Sequence, residues 1–137
     1  LYFYINHPMD QLWTITQEMV ATLALELVET LTHEYRHLHQ HRQRAYLISR
    51  AYRSRAEDIK LREEQEYLGS TDEIDAYAAN IAVKFFLVEK KLITQTEYTS
   101  FDLGSYYKVF GPHHPVIKRL LKKIYKNLGQ LRNLAPL

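Results

Sequence analysis

Neither glycine nor proline occurs between Pro8 and Gly69, and this absence is the feature that most restricts how the chain can fold. These two residues are the ones that most often stop or kink a helix, so a long stretch without them permits long helices. Apolar residues within the stretch recur at the intervals of one helical face: Val20, Leu23, Leu27 and Leu31. The sequence therefore predicts a mainly α fold whose first helix is long, amphipathic and continues through His37.

The middle of the chain divides into three segments. The helical interval continues over 45–59, and the charged stretch 53–66 is where we expect the chain to reverse. A Gly-Ser-Thr-Asp break then supplies a helix stop and good capping residues, which predict a new helix from Glu73 to Lys91. Residues 92–111 are rich in tyrosine and contain Gly104, typical of a turn, so we expect an irregular segment with at most a short helix.

The two ends of the chain have distinct patterns. The apolar, aromatic and β-branched run from Leu1 to Ile5 predicts a short strand. A rigid Gly-Pro-His-His-Pro turn at 111–115 precedes an amphipathic basic helix, which we expect to fray after Gly129. The apolar stripe of this helix is Val116, Leu120, Leu121, Ile124 and Leu128, and its cations are Lys118, Arg119, Lys122, Lys123 and Lys126.

Length and composition restrict the class of protein. A chain of 137 residues is long enough for one compact domain, and we expect a single domain over 1–137, with room for an upstream segment because the first residue is Leu1 rather than Met. No apolar run approaches the length that spans a bilayer, so no membrane partner is expected. Without cysteine, a metal ion has only His, Asp and Glu side chains as ligands.

The run from His33 to His37 is the strongest functional pattern. Residues four apart lie on one face of a helix, so His33 and His37 can present two imidazole nitrogens to a single ion. Glu34 is turned roughly 100° away, where it can hold a water that a zinc ion acidifies to a pKa of ~7. His41 lies about 12 Å along the axis from His33, too far to share the ion. The pattern favours metal-assisted hydrolysis.

The residues His33-Glu34-Tyr35-Arg36-His37 match the His-Glu-x-x-His motif, and here the chain resembles the zincin metallopeptidases. A metzincin would have a third His at the position of Gln43, so that branch does not fit. Gluzincins take the third ligand from a Glu on a later helix, and Glu73-Ile74-Asp75-Ala76 is similar to their local pattern. Tyr77 departs from it, because a small polar residue is usual there. The arrangement is also similar to small zincin-like proteins encoded by bacterial viruses.

The gluzincin resemblance implies a zincin-like helix pair, with Zn²⁺ bound by His33, His37 and Glu73. Asp75 is the alternative third ligand, or a residue that orients an imidazole through its other nitrogen. The implied activity is hydrolysis of a peptide or protein substrate, with Glu34 as the general base acting on a metal-bound water. A peptidase also needs a donor for the oxyanion. The candidates are Tyr98, Tyr106, Tyr107, His113 and His114, of which we favour His113 or His114.

Three plainer interpretations stay open. His33 and His37 are also compatible with an ordinary polar helix surface, given the neighbouring histidines and arginines. Ser70-Thr71-Asp72-Glu73 fits a capping box, in which Glu73 folds back onto the backbone N–H of Ser70 instead of reaching a metal. The alternative function is therefore a structural or assembly protein, of a virion for example, with a vestigial or purely structural metal site.

Charge is distributed unevenly along the chain. Residues 1–102 contain eleven Lys or Arg and all sixteen acids, whereas residues 103–137 contain seven Lys or Arg and no acid. The basic C-terminal helix is therefore a candidate docking surface for an acidic partner or a nucleic acid, with a solvated helix face as the plainer explanation. Cytoplasmic and virion-associated locations are both compatible with the sequence, which does not indicate an oligomeric state.

Overall fold

The computed structural model describes residues 14–45, 51–93 and 101–134, and the mainly α prediction is confirmed for them. The helices are α1 (Gln17–Gln43), α2 (Ile59–Leu68), α3 (Thr71–Glu89), α4 (Phe101–Phe110) and α5 (Pro115–Leu134). These described residues form no strand. The predicted strand from Leu1 to Ile5 lies outside them.

Side-chain caps begin three of the helices. Thr16 accepts a hydrogen bond from the backbone N–H of Met19 at α1, and Asp58 accepts one from Leu61 at α2. Ser70 does the same for Glu73 at α3, only two residues after α2 ends. These contacts satisfy N–H groups that have no partner within the first turn of a helix. The short link between α2 and α3 fixes where the first turn of α3 lies.

The apolar core lies between α3 and α5 and is closed by α4 and the end of α2. The predicted stripe of α5 is buried at four of its five positions, and Leu121 is partly buried. On α3 the buried residues Ile74, Ala78 and Ile81 recur at the intervals of one helical face and pack against this stripe. Tyr106 of α4 is fully buried, and its hydroxyl donates to the carbonyl of Leu68 at 2.8 Å.

Helix α1 packs against α3 through polar side chains. Arg44 near the end of α1 pairs with Asp72 at the start of α3, whereas Glu29 pairs with Lys84 further along, so the two helices are antiparallel. The apolar stripe predicted for α1 points the other way, and Val20 and Leu31 are 54% and 59% exposed. The periodicity identified the helix correctly, but it did not identify which of its faces packs on α3.

Several predicted boundaries are wrong. Helix α1 ends at Gln43, with Ala45 in a left-handed conformation (φ 49°), and 51–58 are not helical, so the interval over 45–59 does not continue the helix. Of the charged stretch 53–66, where the reversal was expected, 53–58 is not helical and the remainder belongs to helix α2. Gly104 lies inside α4, where the buried neighbours Tyr106 and Val109 outweigh a glycine penalty of about 1 kcal/mol. Helix α5 likewise continues through Gly129 to Leu134.

None of the described helices is both long and apolar enough to cross a membrane.

Candidate metal centre

Three side chains from α1 and α3 converge at the polar contact between these helices. The Nε2 atoms of His33 and His37 lie 3.0 Å apart. The Glu73 carboxylate lies 3.4 Å from Nε2 of His33 and 3.2 Å from Nε2 of His37. One ligand atom from each residue falls within 4.8 Å of the other two. The structure thus brings together the two histidines and the glutamate that the sequence analysis named.

Glu73 is available because the capping interaction is only half formed. Ser70 is the N-cap, and its hydroxyl accepts from the Glu73 N–H at 3.3 Å. The backbone N–H of Ser70 is already bonded to the carbonyl of Tyr67 at 3.1 Å, owing to the tight link between α2 and α3. The Glu73 side chain therefore turns to the histidines instead of folding back onto Ser70, as a complete capping box would require.

Gln40 fixes the orientation and tautomer of His37. Its amide nitrogen donates to the carbonyl of Asp72 at 3.1 Å and to the carboxylate of Asp75 at 3.3 Å, and both of these oxygens only accept. The amide oxygen must then face Nδ1 of His37, 3.0 Å away, which identifies Nδ1 as the protonated nitrogen. Nε2 of His37 faces Nε2 of His33 and the Glu73 carboxylate, which is the direction in which a neutral imidazole would ligate a metal.

Asp75 contacts Gln40 and does not belong to the group of three converging side chains. Its carboxylate accepts from Arg36 at 3.0 Å and from Lys123 of α5 at 2.8 Å, in addition to Gln40. Burial raises the pKa of Asp75, but the hydrogen bond from Lys123 and the charges of Arg36 and Lys123 outweigh it and hold the pKa below its usual range. Asp75 therefore acts on His37 through Gln40, and Glu73 is the better placed third ligand.

Glu34 lies near His37 and Glu73, on the solvent-exposed side of the contact between α1 and α3. It is exposed, and it shares a groove of about 480 Å³ with His37 and Glu73. The remaining residues that line the groove are Leu38, His41, Ser70 and Asp72. A carboxylate at this place can accept a proton from a water in the groove without occupying a ligand position.

The two histidines favoured as oxyanion donors lie elsewhere. Nδ1 of His114 accepts from the backbone N–H of Val116 at the start of α5, and its Nε2 lies 3.2 Å from the hydroxyl of Tyr52. A row of ring contacts separates it from His33, running through Tyr77, Tyr106 and Phe110 with centroid separations of 4.8 to 5.9 Å. His113 is exposed in the same turn. The structure does not bring either residue to the group formed by His33, His37 and Glu73.

Of the tyrosine candidates, Tyr106 is buried and its hydroxyl donates to the carbonyl of Leu68. Tyr107 is 37% exposed on α4, and Tyr98 lies outside the described residues. Tyr67, at the end of α2, was not among the predicted donors. It is 54% exposed and neighbours Glu73 and Tyr77. Partial burial of its hydroxyl, with the charge of the Glu73 carboxylate and the neighbouring Tyr77, raises the pKa of Tyr67.

The chemistry of the three ligand atoms fits a zinc ion. Two imidazole nitrogens and one carboxylate oxygen make a donor set common to catalytic zinc sites, which leave a fourth position open. One oxygen of Glu73, Oε2, is buried and makes no hydrogen bond within the part of the chain that the structure describes, although Nε2 of His33 lies 3.4 Å from it. A buried carboxylate oxygen without a hydrogen bond is unfavourable, and a bound cation would reduce that cost.

Replacing Gln40 with Ala is expected to weaken zinc binding by roughly 10- to 100-fold, the usual effect of removing the residue that holds a ligating imidazole. Nδ1 of His37 would lose its acceptor, and the ring would be free to rotate or change tautomer. Competition with a chromophoric chelator measures the affinity. Gln43→Ala is the matched control, because Gln43 is an exposed glutamine on the same helix whose amide bonds to the exposed His39. Equal affinities for the two variants would show that Gln40 has no such role.

Comparison of the chain with protein-family models, curated proteins and solved structures gives no match.

Proposed function

We propose that the protein is a zinc-dependent hydrolase that cleaves peptide bonds, with a gluzincin-like ligand set of His33, His37 and Glu73. The observation that carries the proposal is the convergence of two imidazole Nε2 atoms, 3.0 Å apart, on the buried carboxylate of Glu73, whose Oε2 lies 3.4 Å from His33 and whose Oε1 lies 3.2 Å from His37. The exposed Glu34 beside this group supports hydrolysis over a purely structural ion, because a structural site needs no free carboxylate at its edge.

A zinc ion held by these residues would acidify a water and polarise a substrate carbonyl. Glu34 would be the residue that takes a proton from a water in the groove and gives it to the leaving amine. Gln40, held by Asp75, keeps Nε2 of His37 directed into the site. Tyr67 is the donor we assign to the developing oxyanion, because it neighbours Glu73, whereas His114 lies at the far end of the row of rings from His33 and His113 lies in the same turn as His114.

A second candidate function is a structural or assembly role in which the ion only stabilises the α1–α3 contact. The exposed apolar residues along α1 favour it, because a protein that joins a larger assembly often leaves such a face uncovered. They include Val20, Leu31 and Tyr35, which are 54%, 59% and 69% exposed. This role requires the metal ligands but not Glu34, so the two functions are separable by experiment.

The proposed hydrolysis is tested by removing and restoring the metal. Wild-type protein loaded with zinc should cleave an unfolded protein substrate, lose the activity on treatment with a chelator, and regain it when zinc is added. His37→Ala should stay inactive throughout, and the matched control His39→Ala should behave as wild type, because His39 is exposed and contacts Gln43. A zinc-loaded protein that cleaves nothing would support the assembly role, and cleavage that survives the chelator would contradict both.

A further inference from the structure

The core fixes the position of helix α5, which carries a row of cationic side chains on its surface. The buried stripe of α5 packs on α3, and the opposite surface of α5 carries Lys and Arg without any acidic residue. Two of these cations are neutralised by neighbours, Lys123 by Asp75 and Arg132 by Glu89. Arg119, Lys122 and Lys126 have no acidic partner among the described residues.

These three unpaired cations line one groove, which we call the α5 groove. It has a volume of about 520 Å³ and is completed by Thr71, Ile74 and Lys123. A second groove of about 580 Å³, the Arg53 groove, adjoins it because both are lined by Thr71 and Arg119. The other residues of the Arg53 groove are Arg44, Ala51, Tyr52, Arg53 and Gly69.

The lining of both grooves contains cations and no carboxylate. Arg44 is paired with Asp72, whereas Arg53 has no acidic partner within the described residues. Four unpaired cations from two separate segments of the chain therefore line two adjoining grooves that share Thr71 and Arg119: Arg53, Arg119, Lys122 and Lys126. The rise of an α-helix places Arg119 and Lys126 about 10 Å apart along α5, so the row suits an extended anion with several charges better than a single small one.

We propose that the α5 groove and the Arg53 groove together bind the phosphate backbone of a nucleic acid, without reading its sequence. Charge complementarity is the argument for this partner, since guanidinium and ammonium groups in a row match successive phosphates. A protein partner would be expected to find apolar or aromatic anchors at the centre of its interface, and the α5 groove offers only Ile74 and the methyl group of Thr71. This inference does not depend on the proposed hydrolase activity, because no metal ligand lines either groove.

Fluorescence anisotropy with a labelled DNA duplex of random sequence tests the proposal on the full chain. Wild-type protein should bind at low salt with an affinity that falls steeply as salt rises, because each neutralised phosphate releases counterions. The variant Arg119→Gln/Lys122→Gln/Lys126→Gln should bind at least tenfold more weakly, with a salt slope smaller by about two to three units. The control Lys60→Gln/Lys108→Gln/Lys118→Gln makes the same change in net charge at exposed positions outside both grooves and should change binding by less than threefold.

Three results would overturn the proposal. Equal weakening by the control variant and the groove variant would mean that only net charge matters. Wild-type protein that fails to bind the duplex at low salt would exclude a nucleic-acid surface. A polyglutamate chain could also be added as a competitor at the same total charge as unlabelled duplex. If it displaced the labelled duplex equally well, the result would indicate an acidic protein partner instead. Circular dichroism of both triple variants verifies that they remain folded.

Discussion

Replacing Glu34 with Gln is expected to lower kcat/KM for peptide hydrolysis by about 10²- to 10⁴-fold, the usual contribution of a positioned general base. The amide is nearly the same size as the carboxylate but cannot accept a proton from water. Because Glu34 is exposed and lies outside the group of His33, His37 and Glu73, the variant should keep its fold and its bound metal. Steady-state kinetics and metal content of the same preparation measure both quantities.

The matched control for this substitution is Glu26→Gln. Glu26 is an exposed glutamate two turns earlier on α1, so the change has the same chemistry on the same helix. We expect its kinetics to equal those of the wild type. Hydrolysis retained in full by Glu34→Gln would remove Glu34 from the mechanism, and an equal loss in Glu26→Gln would point to a general effect of charge on α1.

Replacing Leu120 with Ala is expected to lower the free energy of unfolding by about 2–5 kcal/mol, as buried leucines in well-packed cores do. Leu120 is fully buried in the core that joins α5 to α3. The loss is large beside a typical domain stability of about 5–15 kcal/mol. Urea denaturation followed by circular dichroism measures it. Leu134→Ala at the exposed end of α5 is the control and should change stability by less than about 0.5 kcal/mol.

The Leu120 substitution also bears on the site, because α5 supports α3 on one side while α1 contacts it on the other. Lys123 of α5 bonds to Asp75, and Asp75 bonds to Gln40, which holds His37. Loosening α5 should therefore weaken zinc binding together with stability. A stability change below about 1 kcal/mol would show that the α3–α5 contact is less important than its burial indicates.

Local pattern was enough to predict most helices, and tertiary packing explains where it failed. The stripe of α5 and the capped start of α3 were visible because their signals lie within one or two turns of sequence. The direction of the apolar stripe of α1 could not be predicted, because periodicity defines a helical face without indicating which neighbour that face contacts. The turn predicted at Gly104 was wrong for a related reason. Tyr106 and Val109 of α4 are buried in the core, and the sequence does not show that this burial outweighs the cost of a glycine in the helix.

The same division holds at the site. The spacing of His33 and His37 predicted that they share one helical face, and the resemblance to gluzincins implied Glu73 as the third ligand. The freedom of Glu73 depends on a hydrogen bond from Ser70 to Tyr67, which forms only because the link between α2 and α3 is so short. The role of Gln40 depends on how α1 docks against Asp72 and Asp75. The contacts of Gln40 join residues more than thirty positions apart, so no local motif contains them.

The metal content of protein purified without added metal tests the central claim most directly. We expect elemental analysis to find one zinc ion per chain in the wild type and in Glu34→Gln, and none in His33→Ala or His37→Ala. The exposed His39 again provides a control, since His39→Ala should keep its zinc. Wild-type protein that contains no metal, and takes up none when zinc is supplied, would contradict the assignment of His33, His37 and Glu73 as a metal centre.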